Sequence, residues 1–390
     1  MTSNHLAFIA GAFEHPTRKA IDKTVAQLHA ESALGALADA GLTKEDVDGY
    51  FCAGDAPGLG GMSIAEYLNL NLTHTDSTET GGSSYLIHVG HAVQAIAQGK
   101  CKVALITLAG RPRADGATMA QATPRALLPP EESFERPYGP VIPALYAMAA
   151  KRHMYEYGTT SEQLAWIKVA ASHHAQHNKH AMLRDVVSVE EVINSPIIAD
   201  PIHRLDCCVV SDGGGAVIVV SPEVARDLGD RCVGIKAHAE AVKHLSGGYF
   251  DLTFTGAVVT GPKAFAEAGI VPTDIDYASI YDSFTITVLE TVEDLGFCQK
   301  GKGGAFVADG NLISGVGKLP FNTDGGGLCN NHPTNRGGMT KVIEAVRQLR
   351  GEAHPNVQVN NCGLALVHGT GGAISTRMGS ATLILERNDA

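Results

Sequence analysis

Four short segments hold most of the side chains in this sequence that could do chemistry, and each couples them to glycines beside a helix start or a strand end. In Ser77-Thr-Glu-Thr-Gly-Gly-Ser-Ser-Tyr85, the Gly81-Gly82-Ser83-Ser84 stretch opens a helix through His88 and His91. Its backbone N–H groups are thereby aimed where an anion or a polarised carbonyl binds. A serine N-cap behind a glycine turn explains the same residues, and the motif alone favours that plainer reading. Ile280-Tyr-Asp-Ser-Phe284 ends a strand: Tyr281 by itself reads as an interior aromatic with a satisfied hydroxyl, but Asp282 beside it argues against a purely apolar setting. The third segment is Gly325-Gly-Gly-Leu-Cys-Asn-Asn-His-Pro-Thr-Asn-Arg-Gly-Gly338. A histidine before proline is more often a turn residue than a catalyst, yet His332, preceded by Asn331, sits among three asparagines and five glycines. Such residues have little value for core packing, which points to a site. Leu364-Ala-Leu-Val-His-Gly-Thr-Gly-Gly372 reads as a strand ending in His368 and a glycine turn that contains Gly371. Strand ends of this kind are where α/β folds place ligands.

The elements that must carry these segments form an internal repeat. Ala36-Leu-Ala-Asp-Ala-Gly-Leu-Thr-Lys-Glu-Asp-Val-Asp48 is echoed by Phe265-Ala-Glu-Ala-Gly-Ile-Val-Pro-Thr-Asp-Ile-Asp276. Each copy predicts a helix closed by glycine at C′, a short turn, and an apolar strand, Gly49 to Ala53 in one and Tyr277 to Tyr281 in the other. A second pair repeats the order: the helix Ala92–Gly99 leads to the strand Val103–Leu108, and the helix Val342–Gly351 to the strand Cys362–His368. Helices and strands alternating at this spacing imply right-handed βαβ connections and two sheets stacked between helices, an α/β/α/β/α body. One half takes residues 1–113 and 200–228, the other 229–390. Between them, 114–199 reads as an inserted, helix-rich cap: Pro124, Pro129, Pro130, Pro137 and Pro140 precede or flank helical stretches at Ala144–Met154 and Ser161–Asn178. Loops of this kind commonly shape substrate access. The first half resumes at Cys207–Val220, where a tight glycine turn feeds a buried strand.

Composition narrows the function classes. Among 390 residues, 44% are hydrophobic, 18% charged and 44 are glycine, the profile of a packed α/β enzyme in two or three core units. The net charge of −11 is not gathered into a tail, and no Lys/Arg run marks a nucleic-acid footprint. No export signal or membrane span is expected, which suggests a cytoplasmic protein. The eight cysteines show no CxxC and no framework spacing, so they read as reduced, mainly buried thiols, with no metal site in this chain.

Taken in chain order, the four segments resemble the thiolase superfamily, in particular its sterol-carrier-protein-like and lipid-transfer-protein branch, over nearly the whole chain. In that family the first segment carries a nucleophilic cysteine at a helix start, Tyr281-Asp-Ser-Phe284 stands where relatives have His-Asp-Cys-Phe or Asn-Glu-Ala-Phe, Asn331-His332-Pro333 matches the Gly-His-Pro turn, and the last segment is a Cys-x-Gly-Gly-Gly turn. The fold implied is the thiolase fold, two βαβαβαββ halves in five layers. This chain departs from the pattern at both thiols. The nucleophile's place falls at or next to Gly82, with Ser83 beside it, and His368 stands in the region of the second cysteine. A thiolase needs one thiolate to accept the acyl group and a second thiol to move the α-proton. What the resemblance retains is stabilisation of a CoA-thioester enolate by preorganised donors, here His332 with backbone N–H groups around Gly82 and Gly371, with Asp282 and Asn331 as further substrate-side residues.

The resemblance therefore implies a thiolase-like aldolase that cleaves a β-hydroxyacyl-CoA, with Tyr281 as the acid/base at the hydroxyl and His332 at the enolate or assisting. It further implies a homodimer and a small partner of the DUF35 type, an OB-fold with a zinc ribbon that would carry any zinc. CoA belongs to the substrate, and no separate cofactor is implied. A bulky apolar acyl group, steroid or aryl-alkyl, would suit a cap containing Met, Tyr and Leu, residues that core packing explains equally. Two rival readings are an acyltransferase with Ser83 as nucleophile and His332 and His368 as bases, and a non-catalytic acyl-CoA or lipid-binding subunit.

Overall fold

The computed structural model describes residues 5–118, 135–139, 141–244, 251–334, 336–374 and 377–388. In chain order the strands are β1 Phe8–Glu14, β2 Gly49–Cys52, β3 His74–Ser77, β4 Val103–Gly110, β5 Ile197–Ala199, β6 Ile202–His203, β7 Gly213–Val220, β8 Val233–Lys243, β9 Tyr277–Ile280, β10 Leu364–Gly372 and β11 Met378–Glu386. The helices are α1 Val25–Ala40, α2 Gly61–Leu68, α3 Ser84–Ala97, α4 Ile142–Tyr157, α5 Ser161–Ala175, α6 Val189–Ile193, α7 Pro222–Leu228, α8 Ala257–Ala268, α9 Thr285–Asp294, α10 Gly303–Val307, α11 Gly326–Cys329 and α12 Gly338–Arg350.

The two repeat copies share their hydrogen bonds as well as their order. Helix α1 ends on Gly41 at φ 71° and α8 on Gly269 at φ 68°, the left-handed position that glycine takes without a Cβ penalty. The first aspartate of each Asp-aliphatic-Asp then closes a turn: Asp46 accepts from the Thr43 N–H at 2.8 Å and Asp274 from the Val271 N–H at 2.9 Å. The second clamps the start of the neighbouring strand. Asp48 accepts from the Val103 N–H at 2.8 Å, and Asp276 from the Leu364 N–H at 2.9 Å.

Strand order runs β3-β2-β4-β7-β1-β8-β11-β10-β9, so two copies of one arrangement meet edge to edge where Phe8 and Ile9 of β1 pair with Gly234 and Val233 of β8. Phe321 bridges Ala278 in parallel beside β9, the place that β3 takes beside β2. Side chains alternate between faces with the period of two. On β7, Val217 and Val219 join a core with α3, α12 and both halves of the sheet, while Ala216, Ile218 and Val220 face α1 and α7. On the second half, Ala278, Ile280, Leu366 and Ile384 turn the other way, towards α8, α9 and the cap helices α4 and α5. The result is a thiolase fold, helix layers outside and the α3/α12 pair between the two curved halves of the sheet.

Two boundaries differ from the sequence reading. Strand β10 does not end in a glycine turn at His368: Gly369, Thr370, Gly371 and Gly372 pair with Ala381, Ser380, Gly379 and Met378 of β11, and the missing side chains let the Thr80–Ser83 turn pack on this stretch. Helix α5 stops at Ala175, short of Asn178, whose amide instead donates to the Asp324 carbonyl at 3.0 Å. The proline-rich stretch of the cap from 119 to 134, with Pro124, Pro129 and Pro130, and Pro140 lie outside the described residues. Among those described, no helix is long and apolar enough to cross a membrane.

The layers bury histidines in neutral form. Burial holds His88 at about 4 and His174 and His368 at about 3. His88 and His174 each accept a backbone N–H at Nε2, from Thr78 and Ser314, which protonation would also break. Unfolded histidine takes up its proton near pH 6.5, so the stability these side chains contribute is complete above that pH and is lost as pH falls towards 4. Urea unfolding should show a clearly lower midpoint at pH 5 than at pH 7.5, each buried histidine accounting for on the order of 2 kcal/mol. His174→Gln should narrow the gap; equal midpoints at the two pH values would contradict the assignment.

Candidate active site

Strand β9 delivers Tyr281 to the end of the sheet, where its N–H still donates to the His368 carbonyl at 2.9 Å. The short helix α11 delivers His332 from the other side. The two meet: Tyr281 Oη and His332 Nε2 are 2.7 Å apart, with the rings edge to face at 5.3 Å. Both residues are almost fully buried. Burial, then the neighbouring Cys208 and Tyr146, raises the Tyr281 phenol well above its usual range, so it is protonated at working pH.

Gly82 makes this arrangement possible. A Cβ there would overlap the Tyr281 ring and press on the Thr370 carbonyl, so the phenol occupies space that any side chain at 82 would need. Gly338, opening α12, likewise meets the Gly82 carbonyl with no room for a Cβ. Ser83 lies next to this contact but points away. Its hydroxyl donates to the Thr80 carbonyl at 2.9 Å and is fully buried. Gly371 packs on Thr80 and Gly81, which places its backbone one layer behind Gly82.

The remaining residues singled out in the sequence take other places. His368 lies across the sheet from Tyr281, because it pairs with Ile280 in register and shares that residue's face; its Nδ1 is 2.8 Å from Thr382 Oγ1, which is itself 2.8 Å from Thr260. Asp282 is committed to the protein. Its carboxylate accepts from the Gly327 and Leu328 N–H groups at 2.8 and 3.1 Å and pairs with Lys341 of α12 at 2.9 Å, so it has no face to offer a substrate. Asn331 turns from the site towards Glu14, which also holds Asn330, Arg18 and Arg347.

Several contributors have no motif. Ser211 accepts the His332 N–H at 2.9 Å, and the Cys208 N–H donates to the Ser283 carbonyl at 2.9 Å, so the 207–211 segment of the first half seats the site of the second. Tyr146 from α4 stacks on Phe284 at 4.2 Å. Lys168 is a buried lysine inside an otherwise apolar helical stretch, a mismatch visible in the sequence, whereas Lys341, equally buried, stands in a helix that also carries Thr340, Glu344 and Arg347 and has no such signal. No thiolate is at hand: burial keeps the Cys208 thiol well above its usual range.

A five-layer α/β body with its glycine turns interlocked around a Tyr–His pair is a thiolase-type fold. Residues 239–387 match the thiolase C-terminal domain-like family. The chain is 35% identical over 362 residues to a steroid side-chain-cleaving aldolase of Thermomonospora curvata, covering 88% of this chain and 90% of that protein. It is 34% identical over 354 residues to an acetyl-CoA acetyltransferase of Methanothermobacter thermautotrophicus, covering 89% and 91%. Among solved structures, an Ltp2-ChsH2(DUF35) aldolase superposes with a TM-score of 0.87 at 32% identity, covering 100% of this chain and 99% of that one. The chain belongs to the thiolase superfamily.

Restoring a thiol at the glycine, Gly82→Cys, should expel the Tyr281 ring and lower stability by about 1–3 kcal/mol in denaturant unfolding. It should form no acyl-enzyme by intact mass after incubation with acetyl-CoA. An acetylated, fully stable variant would show that the phenol does not own this space.

Proposed function

We propose that this chain is the catalytic subunit of a carbon–carbon lyase that cleaves a β-hydroxyacyl-CoA by retro-aldol chemistry. The observation that carries the reading is the phenol of Tyr281, seated on side-chain-free Gly82 and hydrogen-bonded to His332. A phenol held protonated by burial is a poor base alone. It works as a relay, taking the substrate's β-hydroxyl proton as it passes its own to His332 Nε2. The Cα–Cβ bond then breaks, its electron pair going to the thioester as an enolate, and an aldehyde or ketone leaves. Backbone N–H groups of the Gly82 turn are suited to hold the enolate oxygen, and return of the proton to Cα completes the cycle. No acyl-enzyme, redox step or further cofactor enters. The rival nucleophile Ser83 lacks a base, since its hydroxyl is given to Thr80.

The substrate is proposed to be a steroid or aryl-alkyl CoA thioester, supported by the similar steroid side-chain-cleaving aldolase. A DUF35-type partner is supported by the similar Ltp2-ChsH2(DUF35) aldolase. For a homodimer, the support is the open edge of β3 beside exposed Leu59, Met62 and Tyr67 at α2.

A direct test uses 3-hydroxy-3-phenylpropanoyl-CoA with the chain co-expressed beside its DUF35-type partner. Benzaldehyde and acetyl-CoA should form in equal amounts. Tyr281→Phe should reduce kcat by a factor of about 100 or more with the fold intact. Full activity in that variant would remove Tyr281 from the mechanism, and binding without turnover by the parent chain would make it a binding subunit.

A further inference from the structure

The catalytic histidine hangs on a short, glycine-rich turn. Helix α11 is four residues long, Gly326–Cys329, and His332 follows three residues later. A turn that short cannot fix its own geometry, and the carbonyls at its C-terminal end need outside donors. Those donors come from the inserted cap. Lys168 of α5 donates from Nζ to the Leu328 carbonyl at 2.7 Å and lies 3.1 Å from Cys329 Sγ. The Leu183 and Met182 N–H groups donate to the Cys329 and Asn330 carbonyls at 3.0 and 3.2 Å. Three successive carbonyls leading to His332 are thus held by the cap, while Asp282 holds the N–H groups at the other end.

Lys168 is 1% exposed, and its ammonium reaches the Leu328 carbonyl and the Cys329 sulfur of this turn. A buried lysine is costly unless its charge serves a bonded purpose, and here the purpose is a carbonyl and a sulfur of the catalytic loop. Its position in the apolar run Trp166-Ile-Lys-Val-Ala-Ala171 has no packing rationale of its own.

We propose that Lys168 is a positioning residue: through the Leu328 carbonyl it sets the seat of His332 against Tyr281, making the cap helix α5 part of the catalytic framework. This rests on the reading of His332 as the proton partner of Tyr281. Reach to Tyr281 is sensitive, because displacement by about 1 Å can cost a factor of about 100 in rate.

The test compares Lys168→Met, which removes the donor at similar volume, with Lys168→Gln, which keeps an N–H, in the partnered enzyme with 3-hydroxy-3-phenylpropanoyl-CoA. Lys168→Met should lower kcat by about tenfold or more while KM changes by less than about twofold. Amide exchange over 326–332 should quicken, and Lys168→Gln should recover part of both effects. His153→Gln serves as the control for loosening the cap: its parent side chain joins α4 to Glu293 and Thr159 without touching the turn. It should lower Tm and leave kcat unchanged. Full kcat with unchanged exchange in Lys168→Met overturns the proposal, as does an equal loss of kcat in His153→Gln. If Lys168→Met does not fold, Lys168→Leu, which also lacks the donor, decides in its place: unaltered kcat and exchange refute the positioning role, and a kcat loss at constant KM supports it. His332→Ala tells the two claims apart, since full activity there removes the histidine, whereas its loss beside an active Lys168→Met removes only the lysine.

Discussion

The site depends on one buried carboxylate. Asp282 follows Tyr281 in the chain, accepts two N–H groups of α11 and pairs with Lys341 of α12, so a single side chain ties the tyrosine strand to the histidine turn and to the central helix. Such a pair adds little net stability, because desolvating both charges offsets their attraction. Removing either partner is another matter, since it strands the other charge in the core. The pair's contribution is geometric: it allows one arrangement of the three elements and penalises the rest.

Around that anchor, burial keeps groups in and around the proposed site uncharged. The Tyr281 phenol and the Cys208 thiol are both raised, and His368 on the far face is held neutral. In the proposed reaction two charges develop, the enolate on the substrate and the imidazolium of His332 that receives the relayed proton. The same burial disfavours covalent catalysis: a thiol held above its usual range and a serine bonded to its own turn favour the proposed proton relay over an acyl-enzyme.

Gly82 and Tyr281 are one feature distributed over two halves of the chain. The glycine has no value without the ring that fills its space, and the ring has no room without the glycine. Under the proposed mechanism the second copy of the repeat carries chemistry that resemblance to thiolases would assign to the first, while the backbone of both copies stays in register, down to the paired roles of Asp46 and Asp274, and of Asp48 and Asp276.

The repeat, the layers and the segments bearing Tyr281, His332 and Gly82 were legible in the sequence, because periodicity, helix-closing glycines and turn motifs are local signals written in consecutive residues. The direction in which each polar side chain points was not. Asp282 and Asn331 sit beside site residues in sequence but face a lysine and a glutamate more than fifty and three hundred residues away, respectively. His368 is on the wrong face of β10 by one step of strand register, a fact that only its pairing with β9 determines. Lys168 carried a signal, a charge in an apolar run, but its partner could not be read, since the carbonyl it meets lies 160 positions on and is brought there by the packing of the cap. Sequence alone determined which turns converge; the tertiary structure decided which side chains enter the Tyr281–His332 site and which hold the turns, because strand register and long-range packing, not neighbouring residues, set those directions.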